Sequence, residues 1–223
     1  MDNRKIGIIV GASKLGKESV ILKEKISQRK ECGGYVIAAD GGINFFREEK
    51  IIPDEWIGDM DSAGEEVRAN VINELGQVKI NSCSPIKDDT DTALALEILI
   101  SDMKCSEVHI FGGLGGSRIE HSIANIQSMH HYKKNGVDVT LYSENSRLYV
   151  LKDEVICYDS TKTGFISVFS LSQQVKAEIK GLFYEFSGTL DNSCPLGVSN
   201  EFCGKNATIA VRDGEALIVE TDK

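Results

Sequence analysis

Short apolar runs alternate with amphipathic stretches over the first two thirds of the chain. Ile6–Val10, Tyr35–Ala39, Trp56-Ile57, Gln77–Ile80, Glu107–Phe111 and Val137–Tyr142 read as strands. The stretches between them read as helices: Lys17–Arg29, Ile43–Glu49, Glu65–Leu75, Thr92–Ser101 and Ile119–Lys134. Strands that are apolar at consecutive positions, rather than at every second one, are buried on both faces. With helices between them, they predict a parallel sheet covered on each side. After about Tyr142 the pattern changes. Arg147–Leu151, Glu154–Tyr158, Phe165–Leu171, Val175–Ile179, Thr208–Arg212 and Ala216–Val219 read as strands with no helix between them, separated by turn signals such as Thr163-Gly164 and Asp213-Gly214. The expected fold class is α/β plus all-β. An N-terminal three-layer α/β domain with a parallel sheet (1–142) is followed by a small C-terminal β-sandwich (143–223).

Composition narrows the functions available. Of 223 residues, 41% are hydrophobic and 26% charged, enough for an ordinary core. The formal net charge of −9 argues against a general nucleic-acid or anionic-membrane surface, since both need excess Lys and Arg. A nucleotide held through a metal ion is not excluded. The six cysteines, Cys32, Cys83, Cys105, Cys157, Cys194 and Cys203, include no C-x-x-C pair. The apolar stretch after Met1–Lys5 is too short for a signal peptide or a membrane span. Free thiols in a reducing cytoplasm are the expectation.

Candidate chemistry gathers where strands end. Asp40 stands in Ala39-Asp40-Gly41-Gly42, Asp59 and Asp61 in Gly58-Asp59-Met60-Asp61-Ser62, and Asp88, Asp89 and Asp91 in Lys87-Asp88-Asp89-Thr90-Asp91. Carboxylates gathered in this way repel one another unless a cation lies among them, which points to a divalent metal and an anionic substrate. Asp59 and Asp61 are two apart and share one side of an extended backbone. The plainer alternatives are helix caps: Asp40 before a turn, Ser62 before Glu65, and Asp89 or Thr90 before the apolar helix. Asp54, beside Pro53, matches no such string and reads as a turn residue. Gly112-Gly113-Leu114-Gly115-Gly116-Ser117-Arg118 follows a strand and leads into a long helix. There Arg118, His121 and Asn125 share one helical face, while Ile119, Ile123 and Ile126 are expected to face the core. Gly11–Lys17 looks like a phosphate-binding loop, but Glu18 stands where that motif needs a hydroxyl. Late in the chain, Leu196–Phe202 is a dense polar loop between apolar residues, readable as a ligand loop or as an ordinary turn.

In order, Ala39–Gly42, Gly58–Ser62, Lys87–Asp91, Arg118–Asn125 and Gly197–Phe202 resemble the strings of the thiamine pyrophosphokinase family: A-D-G-G, G-D-x-D-S, K-D-x-T-D, R-x-[DE]-H-x-x-x-N and G-x-S-N-E-F. Each string is weak alone; five in one order are specific. Glu120 stands where many members have Asp, and Ser117 intervenes between the glycines and Arg118. The resemblance implies transfer of pyrophosphate from ATP to thiamine, with Mg²⁺, in a cytoplasmic homodimer whose thiamine lies near the subunit interface. It implies that Asp40, Gly41, Gly42, Ser62, Lys87, Asp88, Thr90, Gly115 and Asn125 serve the nucleotide. Asp59, Asp61 and Asp91 would hold the metal, Asp61, Asp91, Arg118 and His121 would act in catalysis, and Ser199 and Asn200 would meet thiamine. Nucleic acid and membrane are not expected partners.

Overall fold

The structure is a computed structural model that describes residues 4–29, 31–58, 65–76, 78–82, 90–116 and 118–223. The chain divides into two compact units: Met1–Ser128 with Leu141–Glu144, and Met129–Thr140 with Asn145–Lys223.

In the first unit, Ile8, Ile9 and Val10 are all fully buried, as are Val36, Ile37 and Ala38. Burial of consecutive residues means cover on both faces, the physical content of the continuous apolar runs. These runs form β1 (Ile6–Val10), β2 (Tyr35–Ala39), β3 (Glu55–Gly58), β4 (Lys79–Ser82) and β5 (Glu107–Phe111). All pairings are parallel, in the order β5-β1-β2-β3-β4. One face packs on α1 (Glu18–Gln28), α2 (Ile43–Glu49) and α3 (Glu65–Leu75), through Leu22, Ile26, Ile43, Phe46, Val71 and Leu75 against Ile8, Val10, Val36, Ala38 and Trp56. The other face receives α4 (Asp91–Glu97), which runs on as a π-helical turn, Ile98–Asp102. Gly7 leaves the room that Leu99 fills; a Cβ there would lie 2.8 Å from Leu99 Cδ1. In α1 the inward face is Glu18, Leu22 and Ile26, while Val20 and Ile21 are exposed.

Polar groups at the opposite ends of the strands hold the sheet. Asp54 Oδ2 accepts from Arg29 Nη1 at 2.6 Å and from Val36 N at 2.8 Å, a structural role for that carboxylate. Glu55 is fully buried, accepting from Tyr35 Oη at 3.0 Å, Lys79 Nζ at 3.0 Å and Asn81 Nδ2 at 3.1 Å. On β5, His109 Nε2 lies 2.9 Å from Glu107 Oε1. The imidazole, more than burial opposes it, holds the Glu107 carboxyl down to about 2, from an ordinary 4.5. A carboxyl depressed on folding adds stability above its unfolded pKa and loses it as pH falls through the folded one. The expected result is that Glu107→Gln is less stable than the parent chain at pH 6. The gap should close between about pH 4.5 and pH 2, as urea midpoints across that range would show.

The second unit is antiparallel. β7 (Ser146–Lys152), β9 (Phe165–Ser170), β12 (Asn200–Glu201) and β14 (Glu215–Thr221) lie in the order β12-β9-β14-β7. β8 (Val155–Tyr158), β10 (Gln174–Lys180), β11 (Phe186–Asp191) and β13 (Ala207–Arg212) lie in the order β11-β10-β13-β8. Strand alternation brings Leu151, Ile166, Val168 and Ile218 of one sheet against Val175, Ile179, Ile209 and Val211 of the other in a single core. β11 and β12 are additions to the sequence reading. Phe-Ser-Gly-Thr-Leu-Asp carries too few apolar side chains to show a period, and β11 is an edge strand with β10 as its one neighbour. The remaining strands, β6 (Asp138–Tyr142) included, match the sequence reading to within two residues or so at each end. Among the described residues no helix is long and apolar enough to cross a membrane, and Cys32, Cys105, Cys157, Cys194 and Cys203 are free thiols.

Candidate active site

The chain winds from β1 outward through β2, β3 and β4, then crosses the sheet by α4 to place β5 on the other side of β1. Connections leave the carboxyl ends of β1 and β5 in opposite directions, and a crevice opens between them, where open α/β sheets bind ligands. A cavity of about 280 Å³ lies there. Its walls are Gly11, Ala12 and Ser13 after β1, Ala39 and Asp40 at β2, Thr90–Thr92 at α4, and Gly112, Gly113, Gly115 and Gly116 after β5. Arg118, His121 and Asn125 of the following segment complete it.

Close backbone contact shapes this cavity. Gly11 N donates to Phe111 O at 2.7 Å and Ser13 N to Gly112 O at 3.1 Å. Gly112 has φ 64°, and a Cβ on it would lie 2.7 Å from Gly11 O, so conformation and space both require glycine. Asp40 also takes a left-handed φ of 49°, and its carbonyl accepts from Trp56 Nε1 at 3.1 Å. A strained acidic residue pinned by a buried indole is a preset group at a site. Gly58, the residue before Asp59, packs beside Asp40.

Thr90 caps α4, its Oγ1 accepting from Ala93 N at 3.1 Å, and Asp91 stands in the first turn as one of the cavity's lining residues. α5 (Ile119–Lys134) corrects one expectation. Ile119 and Ile123 are 69% and 53% exposed, and the buried face is Ser122, Asn125 and Met129. The polar pair is buried because the glycine loop satisfies it: Gly115 N donates to Ser122 Oγ at 3.1 Å, and Asn125 Nδ2 to Gly113 O at 2.6 Å. The helix is docked by the loop it follows, so Ile119 and Ile123 turn outward, while Ile126 is half-buried. Arg118 is two-thirds exposed at the cavity rim, and its Nε donates to Glu120 Oε1 at 2.7 Å, which holds that carboxyl below its usual range.

Thus Asp40, Thr90, Asp91, Gly115, Arg118, His121 and Asn125, spread over 86 positions, line one cavity. Gly41 and Gly42 form the turn after Asp40. Asp59, Asp61, Ser62, Lys87 and Asp88 lie outside the described residues. Among the described residues no three His, Cys, Asp or Glu side chains gather as a metal site. The donor chemistry still suits magnesium: Asp40 and Asp91 both line this cavity, and carboxylate oxygens are the hard donors that ion takes. Ser13 and Ser122 were not singled out in the sequence; only the fold brings them to the glycine loop.

The glycine-lysine loop does not form a phosphate cradle. Gly16 N donates to Glu18 Oε2 at 2.9 Å, and Glu18 is buried. The Glu144 side chain fills the space beside Gly16, with Cγ 2.8 Å from where a Cβ would stand. The chain's own carboxylates thus occupy the ground a phosphate would need. Lys17→Ala is accordingly expected to leave turnover within about twofold of the parent chain, whereas a P-loop enzyme would lose it; a steady-state rate decides.

A second cavity, of about 260 Å³, lies in the β-rich unit and is mostly apolar, with Asn200 and Glu185 among its walls. Gly197 O accepts from Val168 N at 2.8 Å, and Ser199, at φ 56°, donates its N–H to Ser167 Oγ at 3.0 Å. The loop carrying Ser199 and Asn200 is therefore fixed on β9. Ser167 and Tyr184 are site neighbours that sequence reading missed; they stand 32 and 16 positions away from the residues they hold.

Comparison with known proteins agrees with this geometry. Residues 27–141, just over half of the chain, match the family model for the catalytic domain of thiamin pyrophosphokinase. The chain is 26% identical over 179 residues to a thiamine pyrophosphokinase of Bacillus subtilis, covering 79% of each protein. Among solved structures, the Bacillus subtilis thiamine pyrophosphokinase superposes with a TM-score of 0.82 at 21% identity, covering 98% of this chain and 100% of that one. Yeast thiamin pyrophosphokinase superposes with a TM-score of 0.78 at 15% identity, covering 100% of this chain and 88% of that one. With the matched region spanning the cavity walls from Asp40 to Asn125, the chain belongs to the thiamine pyrophosphokinase family.

Proposed function

We propose that the chain moves the pyrophosphoryl group of ATP to the hydroxyethyl oxygen of thiamine, giving thiamine diphosphate and AMP. The observation that carries this reading is the convergence of Asp40, Asp91, Arg118, His121 and Asn125 on one cavity at the sheet's switch point. Residues 1–142 take the nucleotide, and residues 143–223 take thiamine through the Ser199-Asn200 loop. The thiamine oxygen attacks the β-phosphorus, the bond to the α-phosphate oxygen breaks, and AMP leaves. Asp91 or Asp61 accepts the hydroxyl proton. Arg118 and His121, at the cavity rim, stabilise charge that builds on the transferred group, and the glycine-loop amides position the phosphates.

ATP brings several negative charges to a site built around carboxylates, each close pair repelling by about 1 kcal/mol at 4 Å in water and several times that in a drier setting. Asp59, Asp61 and Asp91 are the residues that would hold Mg²⁺, which when bound neutralises phosphate charge. The exposed apolar residues Ile119 and Ile123 on α5 support an assembly of two copies, and the free thiols support a cytoplasmic location. The test is product analysis with ATP, Mg²⁺ and thiamine. AMP with thiamine diphosphate is the expected result. ADP would mean transfer of a single phosphoryl group and overturn this reading, and no turnover would overturn it as well.

A further inference from the structure

We propose that Asn200 is a positioning residue that sets thiamine affinity by holding Tyr184 at the mouth of the apolar cavity, rather than by touching the substrate. This rests on the assignment of thiamine to the second unit made above. The segments 182–184 and 200–202 pair like the end of a β-ladder. Leu182 bridges Phe202, and Phe183 N donates to Glu201 O at 2.9 Å. At Tyr184 the Asn200 side chain takes over from the backbone. Tyr184 N donates to Asn200 Oδ1 at 3.0 Å, and Asn200 Nδ2 donates to Tyr184 O at 2.6 Å. Glu201 N donates to the same Oδ1 at 2.9 Å.

The amide oxygen thus spends both acceptor sites, and the nitrogen one of its two hydrogens, inside the protein. Asn200 is 9% exposed. Little of it is left to meet a ligand. What it presents is the reverse of buried: Phe183 and Tyr184 are 64% and 67% exposed, their rings edge to face with centroids 4.8 Å apart. Tyr184 lines the apolar cavity beside Leu196 and Val198, themselves exposed. Two adjacent exposed rings, with Tyr184 on the cavity wall, make an apolar surface that a bound ligand can cover. A flat ring system bearing one positive charge fits, because it can stack on an aromatic face and be drawn to its quadrupole. The Glu185 carboxylate on the same wall, tied to Gly181 N at 2.9 Å, adds charge of the complementary sign.

The experiment is a double-mutant cycle on Tyr184→Ala and Asn200→Ala, reading KM for thiamine, KM for ATP and kcat. Each single variant is expected to raise KM for thiamine about tenfold, the size of one lost aromatic contact. KM for ATP should stay unchanged, because the nucleotide cavity draws no wall from this loop. The double variant should be no worse than about tenfold, since both changes remove the same ring contact. Tyr184→Phe, which keeps the ring, should stay near the parent value. Where Asn200→Ala folds poorly, Asn200→Asp takes its place in the cycle, since it keeps the acceptor for the Tyr184 and Glu201 amides and loses the donor. Losses that multiply to about a hundredfold, or an unchanged KM in Tyr184→Ala, overturn the positioning role. A parent chain that releases no AMP with thiamine overturns the function itself and this inference with it.

Discussion

Asp91→Asn lowers AMP release from ATP and thiamine at least about a hundredfold while the chain stays folded; that is the expected result, and Asp61→Asn is expected to match it. A hundredfold is about 2.7 kcal/mol of barrier, within what one catalytic or metal-bound carboxylate supplies. The fold should tolerate the change because Thr90, not Asp91, accepts the Ala93 amide at the start of α4. Asp91 also places its charge near the positive end of the helix, worth about 0.3–1 kcal/mol. Activity and stability are thus expected to separate: two decades of rate against about one to four degrees of melting temperature. Asparagine keeps the shape and loses both the negative charge and the capacity to take a proton. A steady-state AMP assay beside a thermal melt makes the comparison. Near-normal AMP release by either variant would remove that carboxylate from the mechanism, and a parallel collapse of melting temperature would make its role structural.

Gly42→Ala is expected to cost about 3 kcal/mol of stability, near the upper end for overpacking. Gly42 has φ −59°, which any residue adopts, so its requirement is one of space alone. A Cβ there would overlap the Val10 carbonyl oxygen and come within 2.6 Å of its carbonyl carbon. Val10 pairs with Ala38 on one side and Phe111 on the other, so it has no room to move. The turn after β2 would have to lift, taking Asp40 with it, and KM for ATP should rise alongside. Gly41→Ala provides the contrast: its Cβ would meet the Ala12 Cβ at 3.2 Å, tight but against a small group on a loop. Its stability is expected to change by less than about 1 kcal/mol. Urea denaturation of the two variants separates them, and equal losses would defeat the steric account.

The parts of the fold legible in the sequence are those fixed by local pattern. Runs at Ile6–Val10 and Tyr35–Ala39 became strands with those bounds, because residues buried on both faces leave an unbroken apolar run; Glu107–Phe111 did so too, although it carries Glu107 and His109. Helix α5 was legible in extent but not in orientation. Its isoleucines look like a core face by spacing, yet Ser122 and Asn125 point inward. Their hydrogen bonds to the glycine loop outweigh the helix's apolar preference, and no local pattern reports on bonds made between separate segments. β11 was missed for a related reason, since an edge strand with one buried position, Leu190 near its end, has no period to detect.

The sequence by itself determined which residue types were available for chemistry and their order: acids and glycines at strand ends, then Arg118, His121 and Asn125 on one helical face. Spacing along one element is a local property, set by the rise and turn of the backbone. Only the tertiary structure decided which of these share a cavity. The crossing of α4 put β5 beside β1, and with it the Gly112–Gly116 loop against Gly11 and the Arg118 helix across from Asp40 and Asp91. It also decided that Glu18 fills the loop a phosphate might have taken, and that the Asn200 amide is spent on Tyr184. Contacts of this kind depend on where packing brings distant segments, because burial and hydrogen-bond satisfaction are settled by the whole fold at once and not by neighbours in the chain.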